Sequence, residues 1–268
     1  MKFNRFIAVG DSFTEGMCDE KRYGQYRGWA DRVADVMAAN YPDFKYANLS
    51  IRGKLLRQVI DEQIEPALAQ VTGKETLISF HAGANDVIRP KYNPNVTLPL
   101  YAEAVRRVAA SGATVMLFTV LEDSGSEGRL ADSWKIRFRD FNNNVRAIAE
   151  EVGAILCDAN EETAFKDPRF LAFDRLHLNP MGHDRVAQAV QETLGLPFDP
   201  SWRRPLAAAE PTPKFVRAAI TTVWFATFAL PWMWRRARGK SSVMAVLQIS
   251  HCNYLAAVTL RLKPIRSG

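Results

Sequence analysis

Five times along this chain a short apolar run gives way to a longer stretch with apolar residues at helical spacing, and that alternation constrains the fold most. The runs at 6–9, 44–49, 76–82, 114–120 and 154–157 have strand length. Helices are predicted over 28–40, 55–70, 99–111, 131–152 and 180–194. Pro66 should bend or end the second, Gly112 and Gly153 close the next two, and Asn179 and Pro180 supply an N-cap and N1 for the last. The pattern predicts an α/β fold, a three-layer α/β/α sandwich on a five-stranded parallel sheet with right-handed crossovers. In such sheets ligands bind where the loops after the strands gather, at the carboxyl edge.

Chemistry-bearing residues fall in those loops. The first strand stops in Gly10-Asp11-Ser12-Phe13-Thr14-Glu15-Gly16. Ser12 is a candidate nucleophile, although a lone serine in this position serves equally well as a helix cap. Asn48-Leu49-Ser50-Ile51-Arg52-Gly53 follows the second strand and Gly83-Ala84-Asn85-Asp86 the third. Asp174-Arg175-Leu176-His177 follows the last, with Gly182-His183 soon after. His177 is the candidate base for Ser12, and Asp174, three residues earlier, is near enough to orient its ring.

These blocks, GDSFTEG, the glycine of NLSIRG, GAND and DRLH, occur in the order of an SGNH hydrolase of the GDSL esterase/lipase family, which the chain resembles over roughly 1–195. The likeness extends to small actinobacterial members without a signal peptide. The resemblance implies a serine esterase with a Ser12–His177–Asp174 triad. It implies an oxyanion hole formed by the Ser12 and Gly53 backbone N–H groups and the Asn85 amide. A small-molecule ester is the implied partner, and no metal or organic cofactor is implied. Gly53 and Asn85 are also ordinary turn residues. His183 reads as structural, His81 as a core residue or one lying behind the site, and Asp11, Asp86 and Asn48 as loop-shaping side chains.

Other chemistries find no support. The G-x-S-x-G elbow, the dinucleotide and P-loop glycine motifs and zinc-type spacings are missing from the sequence. The net charge of +6 does not mark a nucleic-acid binder, because it is unevenly spread. Residues 1–198 carry 24 Lys and Arg against 27 Asp and Glu, net −3, whereas 199–268 carry 11 against 2, net +9. Cys18, Cys157 and Cys252 are too few and scattered for a disulfide framework, and no signal-type segment precedes residue 6, so a cytoplasmic protein is expected.

The expected division is a hydrolase domain over 1–198 and an extension over 199–268. The extension comprises a Pro-rich linker, an apolar helix near 215–234 and a basic tail, with no family likeness after Ser242. Docking of the apolar helix on the body is the leading expectation, and weak contact with a membrane surface the second. The acidic loop 121–128 is expected to wall one side of the site. A rival function is a membrane-associated binding module of the same fold without turnover.

Overall fold

The computed structural model describes residues 2–122, 129–208, 211 and 213–237. Its central sheet comprises β1 (Arg5–Gly10), β2 (Lys45–Asn48), β3 (Thr76–His81), β4 (Thr114–Phe118) and β5 (Ile155–Cys157). The order is β2-β1-β3-β4-β5 and every neighbouring pair is parallel. The predicted α/β architecture is thus present, with strand ends shifted by a residue or two. β1 and β3 are buried almost throughout, so both faces of each strand are largely apolar, as Phe6–Val9 is and as Leu77, Ile78 and Phe80 are around the buried Ser79.

Side-chain alternation assigns the two cores. Phe6 and Ala8 of β1 join Leu77, Met116 and Phe118 beneath α2 (Gly28–Asn40) and α5 (Pro180–Thr193), around Trp29, Val33, Met37, Val186 and Val190. Ile7 and Val9 face the opposite way, with Ile78, Phe80 and Leu117. They lie beneath α3 (Pro94–Ala110), α4 (Arg129–Val152) and a helical stretch running through Leu56–Val59, Ile60–Ile64 and Glu65–Leu68. The middle part of that stretch is a wide π-type turn.

Three differences from the sequence reading have physical causes. α3 starts at Pro94 and not at residue 99, because the Asn93 side chain accepts the Asn95 N–H at 3.1 Å and Pro94 takes the N1 place. Pro99 is then carried inside the helix. A small hairpin, Lys21–Arg22 with Gln25–Tyr26, was not anticipated. Of the acidic loop 121–128, residues 123–128 lie outside the described residues.

Past residue 198 the chain remains packed on the body. Trp202 is buried, stacks near Phe165 at 5.5 Å and donates to Glu192 at 2.9 Å. Farther on, Lys214–Trp224, Phe225–Ala229 and Leu230–Ala237 form successive helical segments. The expected docking of this region's apolar residues is not met. Phe215, Ile220, Val223, Phe225, Leu230, Met233 and Trp234 are exposed. Both faces of the sheet are already covered by other helices, and Arg175 ties the segment to the body, its guanidinium 4.5 Å from the Trp224 ring and 3.3 Å from Thr221 Oγ1. The basic stretch from 238 and residues 243–268 lie outside the described residues.

Candidate active site

β1 ends against β3 at Gly10, where a side chain would not fit: a Cβ there would sit 2.4 Å from the His81 carbonyl oxygen and 2.9 Å from Thr14 Oγ1. The chain then turns into the short helix α1 (Ser12–Glu15). Asp11 caps it, Oδ1 accepting the Phe13 N–H at 3.2 Å. Gln63 clamps the turn from the side. Its Oε1 accepts the Gly10 N–H and its Nε2 donates to the Gly10 carbonyl, both at 2.9 Å. Sequence reasoning missed Gln63. The signal was there, because Gln63 is a polar residue on the apolar stripe of Leu56, Val59, Ile60 and Ile64.

The second half of the site is the loop between Phe170 and α5. An isolated bridge between Leu171 and Leu178 closes its base. Asn179 caps α5 by accepting the Gly182 N–H at 3.0 Å and ties the loop by donating to the Arg169 and Leu171 carbonyls at 2.7 and 3.1 Å. Within the loop Asp174 Oδ1 accepts the Leu176 and His177 N–H groups at 2.9 and 3.0 Å. Its Oδ2 lies 2.6 Å from His177 Nδ1, and His177 Nε2 lies 3.0 Å from Ser12 Oγ. Burial alone would raise the Asp174 carboxyl, but the bonds from His177 and the loop backbone outweigh it and hold the group below the usual carboxylate range.

The structure therefore brings Ser12, His177 and Asp174 together in one hydrogen-bonded line. Asn85 reaches the same cavity, but its Nδ2 donates to Asp11 Oδ2 and to the Lys54 carbonyl, each at 3.1 Å. It thereby pins the ends of β1, β2 and β3 to one another. Gly53 lies in the adjoining turn with φ +74° and is not among the residues lining the cavity. Its neighbour Arg52 is gripped by Glu15, through the backbone N–H at 2.7 Å and Nη2 at 2.7 Å. Asn48 and Asp86 shape their loops, accepting the Ser50 N–H at 3.1 Å and the Leu56 N–H at 2.8 Å.

The other histidines occupy supporting places. His81 stacks on Phe13 at 4.5 Å, with Nδ1 3.7 Å from Asp11 Oδ1. His183 is 1 % exposed and lies 3.1 Å from the Met17 carbonyl through Nε2. The residue after Met17, Cys18, was also missed. Its Sγ is 3.8 Å from Asp174 Oδ2, and burial, with the neighbouring Asp174 charge, pushes the thiol up to about 11. Cys18, Asp174 and His177 offer ligand atoms within 4.8 Å of one another, but a thiol so hard to ionise acts here as a donor to the carboxylate. No local sequence pattern marks Cys18.

Beside the line of three residues opens a cavity of about 420 Å³. Ser12, His177 and Asn85 stand along its wall, and Phe118, Val120, Leu156, Phe165, Val186 and Val190 make it largely apolar. A serine–histidine–aspartate line at the carboxyl edge of a parallel sheet ordered 2-1-3-4-5, at its β1/β3 switch point, defines a serine hydrolase of the SGNH type. The chain belongs to the GDSL-like lipase/acylhydrolase family, whose sequence profile matches residues 8–185, and so to enzymes that act on ester bonds.

Solved structures share this fold. An acetylxylan esterase from Geobacillus stearothermophilus is 22 % identical, with a TM-score of 0.56, covering 74 % of this chain and 95 % of that one. A lipolytic G-D-S-L protein from Veillonella parvula is 21 % identical, with a TM-score of 0.54, covering 70 % and 96 %. An α/β hydrolase from the metagenome of Lake Arreo, Spain, is 20 % identical, with a TM-score of 0.56, covering 73 % and 97 %. A search of curated proteins finds no match.

Proposed function

We propose that the protein hydrolyses carboxylic esters with an apolar acyl group, through an acyl-enzyme on Ser12. The observation that carries this reading is the continuous line Asp174 Oδ2–His177 Nδ1–His177 Nε2–Ser12 Oγ, at 2.6 and 3.0 Å. His177 takes the Ser12 proton as the hydroxyl oxygen attacks the ester carbonyl, then gives it to the departing alcohol. Asp174 keeps the Nε2 lone pair facing Ser12 and stabilises the imidazolium. Water, deprotonated by the same histidine, then releases the acid and restores Ser12. The negative charge on the carbonyl oxygen falls to the Ser12 and Gly53 N–H groups and to Asn85, which must exchange one of its two present acceptors for the oxyanion. No metal or organic cofactor enters this scheme. The free thiols Cys18 and Cys157 suit the cytoplasm as its place of action.

Asn85→Ala is expected to lower turnover of a soluble ester by roughly 100- to 1,000-fold while leaving KM within a few-fold. A loss confined to KM would remove Asn85 from the oxyanion site.

The acyl preference follows from the cavity. An acetylxylan esterase shares the fold, but an acetyl group would leave most of the apolar wall of this 420 Å³ space uncovered. Each methylene buried is worth about 0.8 kcal/mol, or roughly fourfold in kcat/KM. With p-nitrophenyl esters, kcat/KM should climb by about that factor per methylene from acetate until the cavity is filled. A maximum at acetate would favour the O-acetyl carbohydrate reading instead. No turnover at any chain length would favour the inactive binding module.

A further inference from the structure

The stretch Lys214–Arg235 is long and apolar enough to meet a bilayer, yet only 6 % of its most apolar part is buried in the protein. A core helix of a soluble protein would be mostly covered, and a leader would lie near the N-terminus. Neither description fits. Phe215, Val223, Phe225, Leu230 and Trp234 project into solvent. The hydroxyls of Thr222 and Thr227 are satisfied within the helix, donating to the Ala218 and Val223 carbonyls at 3.0 and 2.7 Å. That satisfaction suits polar side chains facing a lipid phase.

The exposed apolar surface does not stop at this helix. Arg175 holds Trp224 and Thr221, and it lies in the loop that carries Asp174 and His177. In that loop Phe173 and Leu176 are 60 % and 44 % exposed, and Leu176 also lines the cavity. The charge of the region matches an anionic surface, since within 199–237 the described residues include Arg203, Arg204, Lys214, Arg217, Arg235 and Arg236 against Asp199 alone.

We propose that the helix and the catalytic loop together form a face that binds an anionic lipid bilayer. The helix lies in the plane of the interface and the cavity opens toward the lipid. The whole helix Lys214–Arg235 is long enough to cross a bilayer, but its uncharged part, 218–234, is seventeen residues, about 25 Å and at the short edge of a span. A transmembrane arrangement would also put Trp224, near the middle of the stretch, deep in hydrocarbon together with the guanidinium it holds. Lying flat, the helix keeps Arg175 at headgroup level and buries the apolar side chains. The binding face stands on exposure and charge alone. Delivery of a lipid ester to Ser12 rests on the esterase reading.

The test uses full-length Ser12→Ala protein, which cannot turn over the lipids. It is floated with vesicles of phosphatidylcholine, alone or containing one-third phosphatidylglycerol. Binding to the anionic vesicles should exceed binding to the neutral ones at least tenfold, weaken in high salt and be released by carbonate. Placing Phe225→Asp and Leu230→Asp together in that background should lower binding at least tenfold. The same pair in the active enzyme should leave hydrolysis of a water-soluble ester unchanged, which also shows that the variant folds. Equal binding of the pair variant, or no binding to either vesicle, overturns the proposal. Retention after carbonate washing overturns the in-plane arrangement in favour of a span. Failure of the active protein on every soluble ester would sink the esterase reading and leave the vesicle result standing.

Discussion

Ser12→Ala is expected to reduce kcat on a soluble p-nitrophenyl ester by roughly 10⁵- to 10⁶-fold, and His177→Ala by a similar factor, with the fold unchanged by circular dichroism. Asp174→Asn should cost about 10⁴-fold, because the ring then takes the wrong tautomer while the base itself remains. The double variant of Ser12 and His177 should be little worse than either single one, as residues acting as a unit are not additive. The pH profile follows from the same geometry. Asp174 stays ionised through the histidine range, because its carboxyl is held below the usual value. Ionisation of Asp174 should therefore leave no mark on kcat/KM between pH 5 and 8. If His183→Ala abolished turnover while His177→Ala kept most of it, the base would be misassigned.

Acidification is expected to remove up to about 3 kcal/mol of folding stability through His183. Burial is the largest cause of its shift and pushes the ring down to about 4. The neutral ring donates its Nε2 proton to the Met17 carbonyl at 3.1 Å, and Nδ1 has no partner among the described residues. A second proton would be buried without an acceptor. The unfolded chain binds that proton near pH 6.5, its ordinary value, whereas the folded chain refuses it until about pH 4. The stabilisation is therefore complete above pH 6.5, declines as pH falls below it, and is spent near pH 4. A shift of this size corresponds to about 3 kcal/mol at most. His183→Gln keeps a donor near Met17 but cannot titrate. Unfolding free energies of the two proteins from urea titrations, followed from pH 7.5 to 4.5, should converge by most of that amount. Parallel curves would show that His183 takes up its proton in the folded state.

The central strands were legible because parallel strands covered on both sides must be largely apolar runs, as Phe6–Val9 and Val115–Phe118 are, and as Leu77–Phe80 is apart from Ser79. The start of α3 was not, since Pro94 and Pro99 both suit a first helical turn and only the Asn93 side-chain bond decides between them. Ser12, Asp174 and His177 were readable because their chemistry stands at strand ends in blocks with fixed spacing. The residues that brace them were not. The Glu15–Arg52 grip spans 37 positions and the Cys18–Asp174 contact 156, and no local pattern announces such pairings. The apolar stretch after the linker was visible as a helix. What covers it is decided by the space left on the body, and the sheet's two faces were already taken.

The three-residue spacing of Asp174 and His177 has a mechanical consequence. Asp174 accepts from the Leu176 and His177 backbone as well as from the ring, so acid and base are assembled inside one small loop, independent of the nucleophile. Proton transfer to the base then depends on one gap, that between this loop and α1, now 3.0 Å at Ser12. Arg175, Phe173 and Leu176 ride on the same loop and face outward. The side chains that meet whatever lies outside the loop and the two that carry acid and base thus share five consecutive residues, Phe173 to His177.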